Sequence, residues 1–294
     1  MHIIDLHFLG IPQANASYLL ETSAGPILIE SGPHSTFETL KKGINDLGFK
    51  VSDIQHLFLS HIHFDHAGAA WAFAEQGATI YVHPFGAPHL SHPERLVESA
   101  RRIYKDQMDS LWGAMNPIPK EQIISVKNEE EFTIGDTTMK AWHTPGHAVH
   151  HIAWQFGDEL MAGDVAGVKI NGEMVVPPCP PPDINIEDWV ASINILRSLN
   201  LKTIYISHFG KITNIETHLN ELEEILWDWA NWMKPHFEAG SSVPEIVPLF
   251  VEHVKNQMLE KGMSEAAVKQ YEASNPSFMS VAGLMRYWKK KTQA

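Results

Sequence analysis

The sequence predicts an α/β layered domain followed by an all-α C-terminal portion. Strand-like apolar runs alternate with helical patterns over the first 82 of the 294 residues, which is the alternation of a layered α/β fold. Short strand patterns with a turn at Gly135-Asp136 follow between residues 123 and 156. After Gly210 only helical stripes remain. We therefore predict one domain over residues 1–210 and a helical subdomain or dimer arm over residues 211–294.

Each element has a local justification. Apolar runs bounded by turn residues predict strands at 3–4, 17–20, 27–30, 57–59, 79–82 and 203–206. Apolar residues at three- and four-residue spacing predict helices at 37–47, 71–74, 96–115 and 189–199. The same spacing predicts C-terminal helices at 215–233, stopping before Pro235, and at 244–260, 264–273 and 277–291.

Composition narrows the class of protein. The chain is 44% hydrophobic, so it can bury a sizeable core. Its net charge of −13 argues against nucleic acid and against anionic membranes as partners. The single cysteine, Cys179, excludes an intrachain disulfide, and we assign it no catalytic role. No signal peptide is visible in residues 1–20, and no apolar run approaches the roughly 20 residues of a membrane helix, so we expect a cytoplasmic protein.

The run 61–66, HIHFDH, places four metal-binding side chains within six residues. His61 and His63 point to the same side of an extended loop, because the period of extended chain is two. Asp65 and His66 stand where a helix can begin. Two imidazoles and a carboxylate–imidazole pair therefore converge from one loop, which the ligand chemistry of zinc-type metals explains better than packing does.

Three further candidate ligands follow predicted strands. His147 comes at a Pro-Gly turn, Asp164 follows an apolar run, and His208 follows the strand 203–206. Strand ends of this kind gather functional side chains at one edge of a sheet. Seven imidazole and carboxylate ligands suit two divalent ions, with zinc favoured and iron, manganese or cobalt compatible. Three protein ligands per ion leave the open position of a catalytic site.

These motifs resemble those of the metallo-β-lactamase-fold superfamily. The run 61–66 is similar to its H-x-H-x-D-H signature, and residues 144–147, 163–164 and 207–210 resemble its later motifs in the same order. The resemblance covers residues 1–210 and implies a catalytic domain there with the αββα sandwich fold. It also implies the ligand sets, namely His61, His63 and His147 for the first metal, Asp65, His66 and His208 for the second, and Asp164 as the bridge.

The resemblance implies a dinuclear-metal hydrolase. In such an enzyme a hydroxide between two divalent ions attacks an electrophilic carbonyl or phosphoryl group, and Asp65 would orient that hydroxide. Lack of a visible export signal argues against secreted β-lactamases, and His63 argues against flavodiiron oxidoreductases, which carry Glu there. We therefore expect cleavage of a small ester, thioester or lactone, as in the glyoxalase II-like and lactonase branches. Gly167 stands where several lactonases carry Tyr, which weakens the lactonase interpretation.

Several alternatives stay open at this stage. A mononuclear-iron persulfide dioxygenase-like oxidoreductase would use only the residues that match His61, His147 and Asp164. Phosphodiesterase, phosphotriesterase or β-lactam hydrolysis could be the main or a side activity. A non-catalytic binding module is a third class, which the intact ligand set disfavours. The expected partner is a small-molecule substrate, and the helical portion is compatible with a homodimer.

Overall fold

A computed structural model describes residues 1–293. Contacts divide the chain into two units. The first comprises Met1–His143 and His150–Ala162, and the second comprises Thr144–Val149 and the chain from Gly163 onward. The division into domains at residues 1–210 and 211–294 stays a prediction.

The first sheet lies in the first unit, and its strands follow chain order. They are β1 (His2–Asp5), β2 (Ala16–Thr22), β3 (Gly25–Ile29), β4 (His56–Phe58), β5 (Thr79–Val82) and β6 (Ile123–Ser125). β1, β2 and β3 pair antiparallel, whereas β3, β4, β5 and β6 pair in parallel. Parallel neighbours need crossover connections, which explains why helices appear only after β3.

The second sheet also follows chain order. Its strands are β7 (Glu131–Ile134), β8 (Thr137–His143), β9 (Ile152–Phe156), β10 (Glu159–Met161), β11 (Thr203–Ile206) and β12 (Gly210–Ile212). β7 to β10 form an antiparallel meander in the first unit, and β11 and β12 form an antiparallel pair in the second.

Aromatic side chains join the two sheets inside the first unit. Trp154 of β9 is fully buried, and its ring centroid lies 4.8 Å from that of Phe58 on β4. Phe58 in turn stacks on Tyr81 of β5 at 4.2 Å. The indole N–H of Trp154 donates to the carbonyl of Leu59 at 2.9 Å, so its one polar group is satisfied. The sheets therefore pack face to face, as expected for the predicted sandwich.

The helices of the first unit connect or follow the parallel strands. They are α1 (Phe37–Asp46), α2 (Phe64–Ala67), α3 (Ala70–Ala74), α4 (Ala87–Ser91), α5 (Glu94–Tyr104) and α6 (Met108–Trp112). The single helix predicted at 96–115 is wrong, because the chain breaks at Lys105, where φ is 49°. The break lets the short helix α6 place Trp112 on Phe8, with the rings stacked at 5.4 Å.

The second unit is mainly helical. Its helices are α7 (Ile186–Ser198), α8 (Ile215–Glu238), α9 (Val243–Glu260), α10 (Glu265–Ser274) and α11 (Ser277–Gln293). α8 does not stop before Pro235 as predicted but continues through Pro235 to Glu238. Proline removes one backbone N–H, and the buried stripe of α8 offsets that loss so close to the helix end. Within the described residues, none of these helices combines the length and apolarity that crossing a bilayer requires.

The mixed α/β fold with two sheets and C-terminal helices is therefore confirmed.

Candidate metal centre

The histidine-rich run occupies the loop after β4 and the start of α2. His61 and His66 are buried, and His63 and Asp65 are half-buried. Nε2 of His61 lies 2.8 Å from Nδ1 of His63, and Nε2 of His66 lies 3.6 Å from Oδ2 of Asp65. The loop thus gathers its four predicted ligands as two adjacent pairs.

A buried carboxylate and a hydroxyl hold two of these rings from behind. Glu30 directly follows β3 and is fully buried. Its Oε1 lies 3.2 Å from Nδ1 of His66, and its Oε2 accepts the backbone N–H of Ser60 at 3.2 Å. The hydroxyl of Ser60 lies 2.8 Å from Nδ1 of His61. With Nδ1 of each ring facing these groups, Nε2 is the nitrogen that each ring offers to a metal.

Sequence reasoning missed Glu30. The available signal was a carboxylate ending an otherwise apolar strand, Ile27-Leu28-Ile29-Glu30, directly before Ser-Gly. A charged side chain in that position needs a partner when it is buried.

The second unit brings three predicted ligands together. His147, Asp164 and His208 are each at most 3% exposed. Nε2 of His147 lies 3.4 Å from Oδ2 of Asp164, and Nε2 of His208 lies 3.6 Å from Oδ1. The two oxygens of one carboxylate thus face two different imidazoles, as a ligand shared by two ions would. Nδ1 of His147 donates to the carbonyl of Pro178 at 2.8 Å, which again leaves Nε2 for a metal.

All seven predicted ligands occur in groups that could hold a metal ion. In each group every residue offers one ligand atom, an imidazole nitrogen or a carboxylate oxygen. The groups are His61, His63 and His147; His61, His66 and Asp164; and Asp65, His66 and His208. The first and third have the same members as the two ligand sets expected from the resemblance.

The donor chemistry fits divalent metal ions. The seven groups are imidazoles and carboxylates, the ligands of zinc, iron and manganese. Buried carboxylates need a compensating positive charge, which a divalent ion supplies. The thiol of Cys179 takes no part in these groups. Cys179 is buried, and burial raises the pKa of its thiol.

An aromatic cluster borders the metal-binding loop. The ring of Trp112 is surrounded by Phe8, Tyr104 and Phe64, with centroid distances of 5.4, 5.2 and 5.9 Å. Burial raises the pKa of Tyr104, and the nearby carboxylate of Asp65 raises it further. Tyr104 therefore stays a neutral phenol close to a predicted ligand. The cluster gives the Asp65 side of the loop an apolar flank.

Other histidines have different surroundings. The rings of His150 and His151 lie 6.1 and 5.2 Å from that of His61, so both pack near a predicted ligand. His83 and His143 form a separate pair with centroids 4.2 Å apart. Burial lowers the pKa of His83 to about 4, with a contribution from His143. This second pair belongs to none of the three ligand groups.

Comparison with known proteins identifies the family of this chain. Residues 10–208 match the family model of the metallo-beta-lactamase superfamily. The metallo-beta-lactamase fold-containing protein ST1585 of Sulfurisphaera tokodaii is 26% identical over 228 residues, which cover 76% of this chain and 84% of that protein. The crystal structure of ST1585 from Sulfolobus tokodaii aligns with a TM-score of 0.63 over 74% of this chain and 84% of that chain.

Two further proteins extend the comparison. The metallo-beta-lactamase family protein TTHA1429 from Thermus thermophilus aligns over 95% of this chain and 89% of that chain, with a TM-score of 0.65 and 19% identity, which shows the fold alone. The atrochrysone carboxyl ACP thioesterase of Aspergillus fumigatus is 24% identical over 214 residues, 71% of this chain and 55% of that protein. Because the family model spans more than half of the sequence, this chain belongs to the metallo-beta-lactamase superfamily, whose members are metal-dependent hydrolases.

Proposed function

We propose that this protein is a dinuclear-metal hydrolase that cleaves a small ester, thioester or lactone. The observation that carries the proposal is the placement of Asp164. Each of its carboxylate oxygens faces the imidazole of a different histidine, His147 or His208. A carboxylate placed in this way suits two ions better than one, which favours a hydrolase over a mononuclear iron oxidoreductase.

The proposed ligand sets follow the groups described above. His61, His63 and His147 would hold one ion, and Asp65, His66 and His208 would hold the other. Asp164 would bind both. Two divalent ions, zinc by preference, would supply a water of lowered pKa and polarise the oxygen of the scissile carbonyl.

The chain's own residues would fix this arrangement in advance. Glu30 and Ser60 hold the rings of His66 and His61, so these ligands need not reorganise when a substrate arrives. The carboxylate of Asp65 is 24% exposed, and its backbone carbonyl accepts a hydrogen bond from Asn15 at 2.6 Å. We infer that Asp65 orients the reacting water, because it is the most exposed carboxylate of the predicted set.

The surroundings favour an acyl substrate with an apolar part. The mostly buried cluster of Phe8, Phe64, Tyr104 and Trp112 makes the surroundings of Asp65 apolar. A net charge of −13 disfavours polyanionic substrates such as nucleic acids. The relative from Aspergillus fumigatus bears the name of a thioesterase, which places thioesters first among the substrates to test.

A substrate panel on protein of known metal content tests the proposal. Zinc-loaded protein is offered an acyl thioester, an ester, a lactone, a phosphodiester and a β-lactam. We expect turnover of at least one of the first three. Asp164→Ala should abolish turnover, whereas Asp109→Ala, which changes an exposed carboxylate outside the ligand groups, should not. Full activity in Asp164→Ala, or persulfide oxidation with one iron per chain, would contradict the proposal.

A further inference from the structure

We propose that Tyr271 of α10 is a positioning residue for the half of the metal centre formed by His147, Asp164 and His208. The inference rests on the proposed metal centre and adds a role for the C-terminal helices in it. In this role the helices hold the segment of chain that positions the ligands. All residues that carry the inference lie within the second unit.

One stretch of chain supports all three ligands. We call residues 163–182 the support segment. Asp164 lies in its first turn. A backbone N–H of the segment donates to the carbonyl of His208 at 2.6 Å, and a proline carbonyl of the segment accepts from Nδ1 of His147 at 2.8 Å. The position of the support segment therefore sets the positions of the three ligands.

Most of the support segment has irregular backbone. Two isolated β-bridges involve this segment. One pairs Val168 with Val176 inside the segment, and the other pairs Val168 with His208. Asn171 adopts a φ of 53°, which interrupts the short 3-10 turn around it. Such a segment supplies few backbone hydrogen bonds of its own, so neighbouring side chains must hold it.

The hydroxyl of Tyr271 supplies several of the missing bonds. Tyr271 is 2% exposed. Its oxygen accepts the backbone N–H of Ile170 at 2.9 Å, and its proton can go to the carbonyl of Met174 at 2.5 Å or to that of Ile170 at 3.1 Å. The hydroxyl of Tyr271 thus forms hydrogen bonds with both ends of the turn 170–174. Burial raises the pKa of Tyr271, so the hydroxyl keeps the proton that it donates.

Neighbouring side chains hold the remainder of the support segment. Asn275 donates to the carbonyl of Pro177 at 3.1 Å, and the hydroxyl of Ser280 accepts from the backbone N–H of Cys179. At Gly283 an added Cβ would lie 1.9 Å from the carbonyl oxygen of Cys179, so α11 lies directly against the segment. α10 and α11 thus contact the segment along most of its length.

Apolar packing does not replace these polar contacts. A cavity of about 160 Å³ adjoins Tyr271, Asn275 and Val176 of the support segment. Among the described residues, the support segment has no protein packing partner across this pocket, so its hydrogen bonds carry more of the positioning. Loss of the Tyr271 hydroxyl should therefore let the segment move.

The test compares Tyr271→Phe with Tyr287→Phe. Both remove one hydroxyl from a buried tyrosine of the C-terminal helices, but Tyr287 bonds to the side chains of Glu187 and Lys291 and not to the support segment. Zinc affinity is measured by chelator competition, and the ligand field is measured by the absorption spectrum of the cobalt(II) protein. Hydrogen exchange of residues 163–182 is followed in metal-free protein. Asn275→Ala is a second variant, in case Tyr271→Phe fails to fold.

We expect Tyr271→Phe to weaken zinc binding by up to about 10-fold, the lower end of the range for residues bonded directly to metal ligands, because Tyr271 acts through the support segment. Its cobalt spectrum should change, and exchange at Ile170 should accelerate. Tyr287→Phe should match the wild type in all three measurements. Asn275→Ala should shift zinc affinity in the same direction by a smaller factor.

The outcomes separate the two proposals. If the wild type takes up two ions and neither Tyr271→Phe nor Asn275→Ala differs from Tyr287→Phe, the positioning role is wrong and the metal centre stands. If the wild type takes up no metal, the proposed function fails, and the positioning role fails with it.

Discussion

Replacing Glu30 by glutamine tests how far the metal centre depends on a residue that holds no metal. The carboxylate of Glu30 serves two groups at once, Nδ1 of His66 and the backbone N–H of Ser60. Glutamine has nearly the same size, but its amide offers one acceptor oxygen and is neutral. One of the two groups behind the metal loop therefore loses its acceptor.

The expected loss follows from these contacts. Residues that orient metal ligands typically change metal affinity about 10- to 100-fold when mutated. That range corresponds to about 1.4–2.8 kcal/mol of binding free energy. Because Glu30 is fully buried, no water can replace the lost acceptor without rearrangement of the loop, and we expect the upper part of the range.

Chelator competition with zinc measures the change. Glu245→Gln is the matched control, because Glu245 also accepts a backbone N–H and a second donor, both from Ser242, but at the exposed start of α9. We expect the control to bind zinc like the wild type. Equal zinc affinity for Glu30→Gln and Glu245→Gln would refute the role assigned to Glu30.

Two further predictions concern stability. The pKa of His83 is lowered to about 4 in the folded protein against an ordinary value of 6.5, so between pH 6.5 and 4 only the unfolded chain takes up this proton. The free energy of unfolding should fall over that window by up to about 3 kcal/mol, and His83→Gln should flatten the fall measured by urea denaturation at each pH. In Gly283→Ala, the usual gain of about 1 kcal/mol for alanine in a helix should reverse to a loss of about 1–3 kcal/mol, because the added Cβ meets the backbone of Cys179. A more stable Gly283→Ala protein would contradict the close approach of α11.

The sequence predicts the ligands better than their supports. His61, His63, Asp65 and His66 are neighbours in the chain, so their convergence follows from local geometry alone. The other three candidate ligands could be predicted because each follows an apolar strand or a turn. Glu30 was missed because its partners are about 30 residues away, and nothing local marks it beyond a charge at a strand end.

For the C-terminal helices too, the sequence predicts the elements but not their contacts with distant parts of the chain. Periodicity predicts where they lie, with boundaries close to those observed. It does not reveal what they pack against, because the bonds of Tyr271 reach about 100 residues back along the chain. The break at Lys105 was missed for a related reason. The apolar spacing continues across it, while the backbone turns to bring Trp112 onto Phe8.

Metal stoichiometry tests the central claim most directly. Protein reconstituted with zinc is dialysed, and its bound metal is counted by native mass spectrometry beside Asp164→Ala. We predict two ions per chain for the wild type and loss of metal from Asp164→Ala, because that carboxylate faces both predicted sets. A wild-type protein that holds a single ion, or an Asp164→Ala protein that still holds two, would contradict the dinuclear centre.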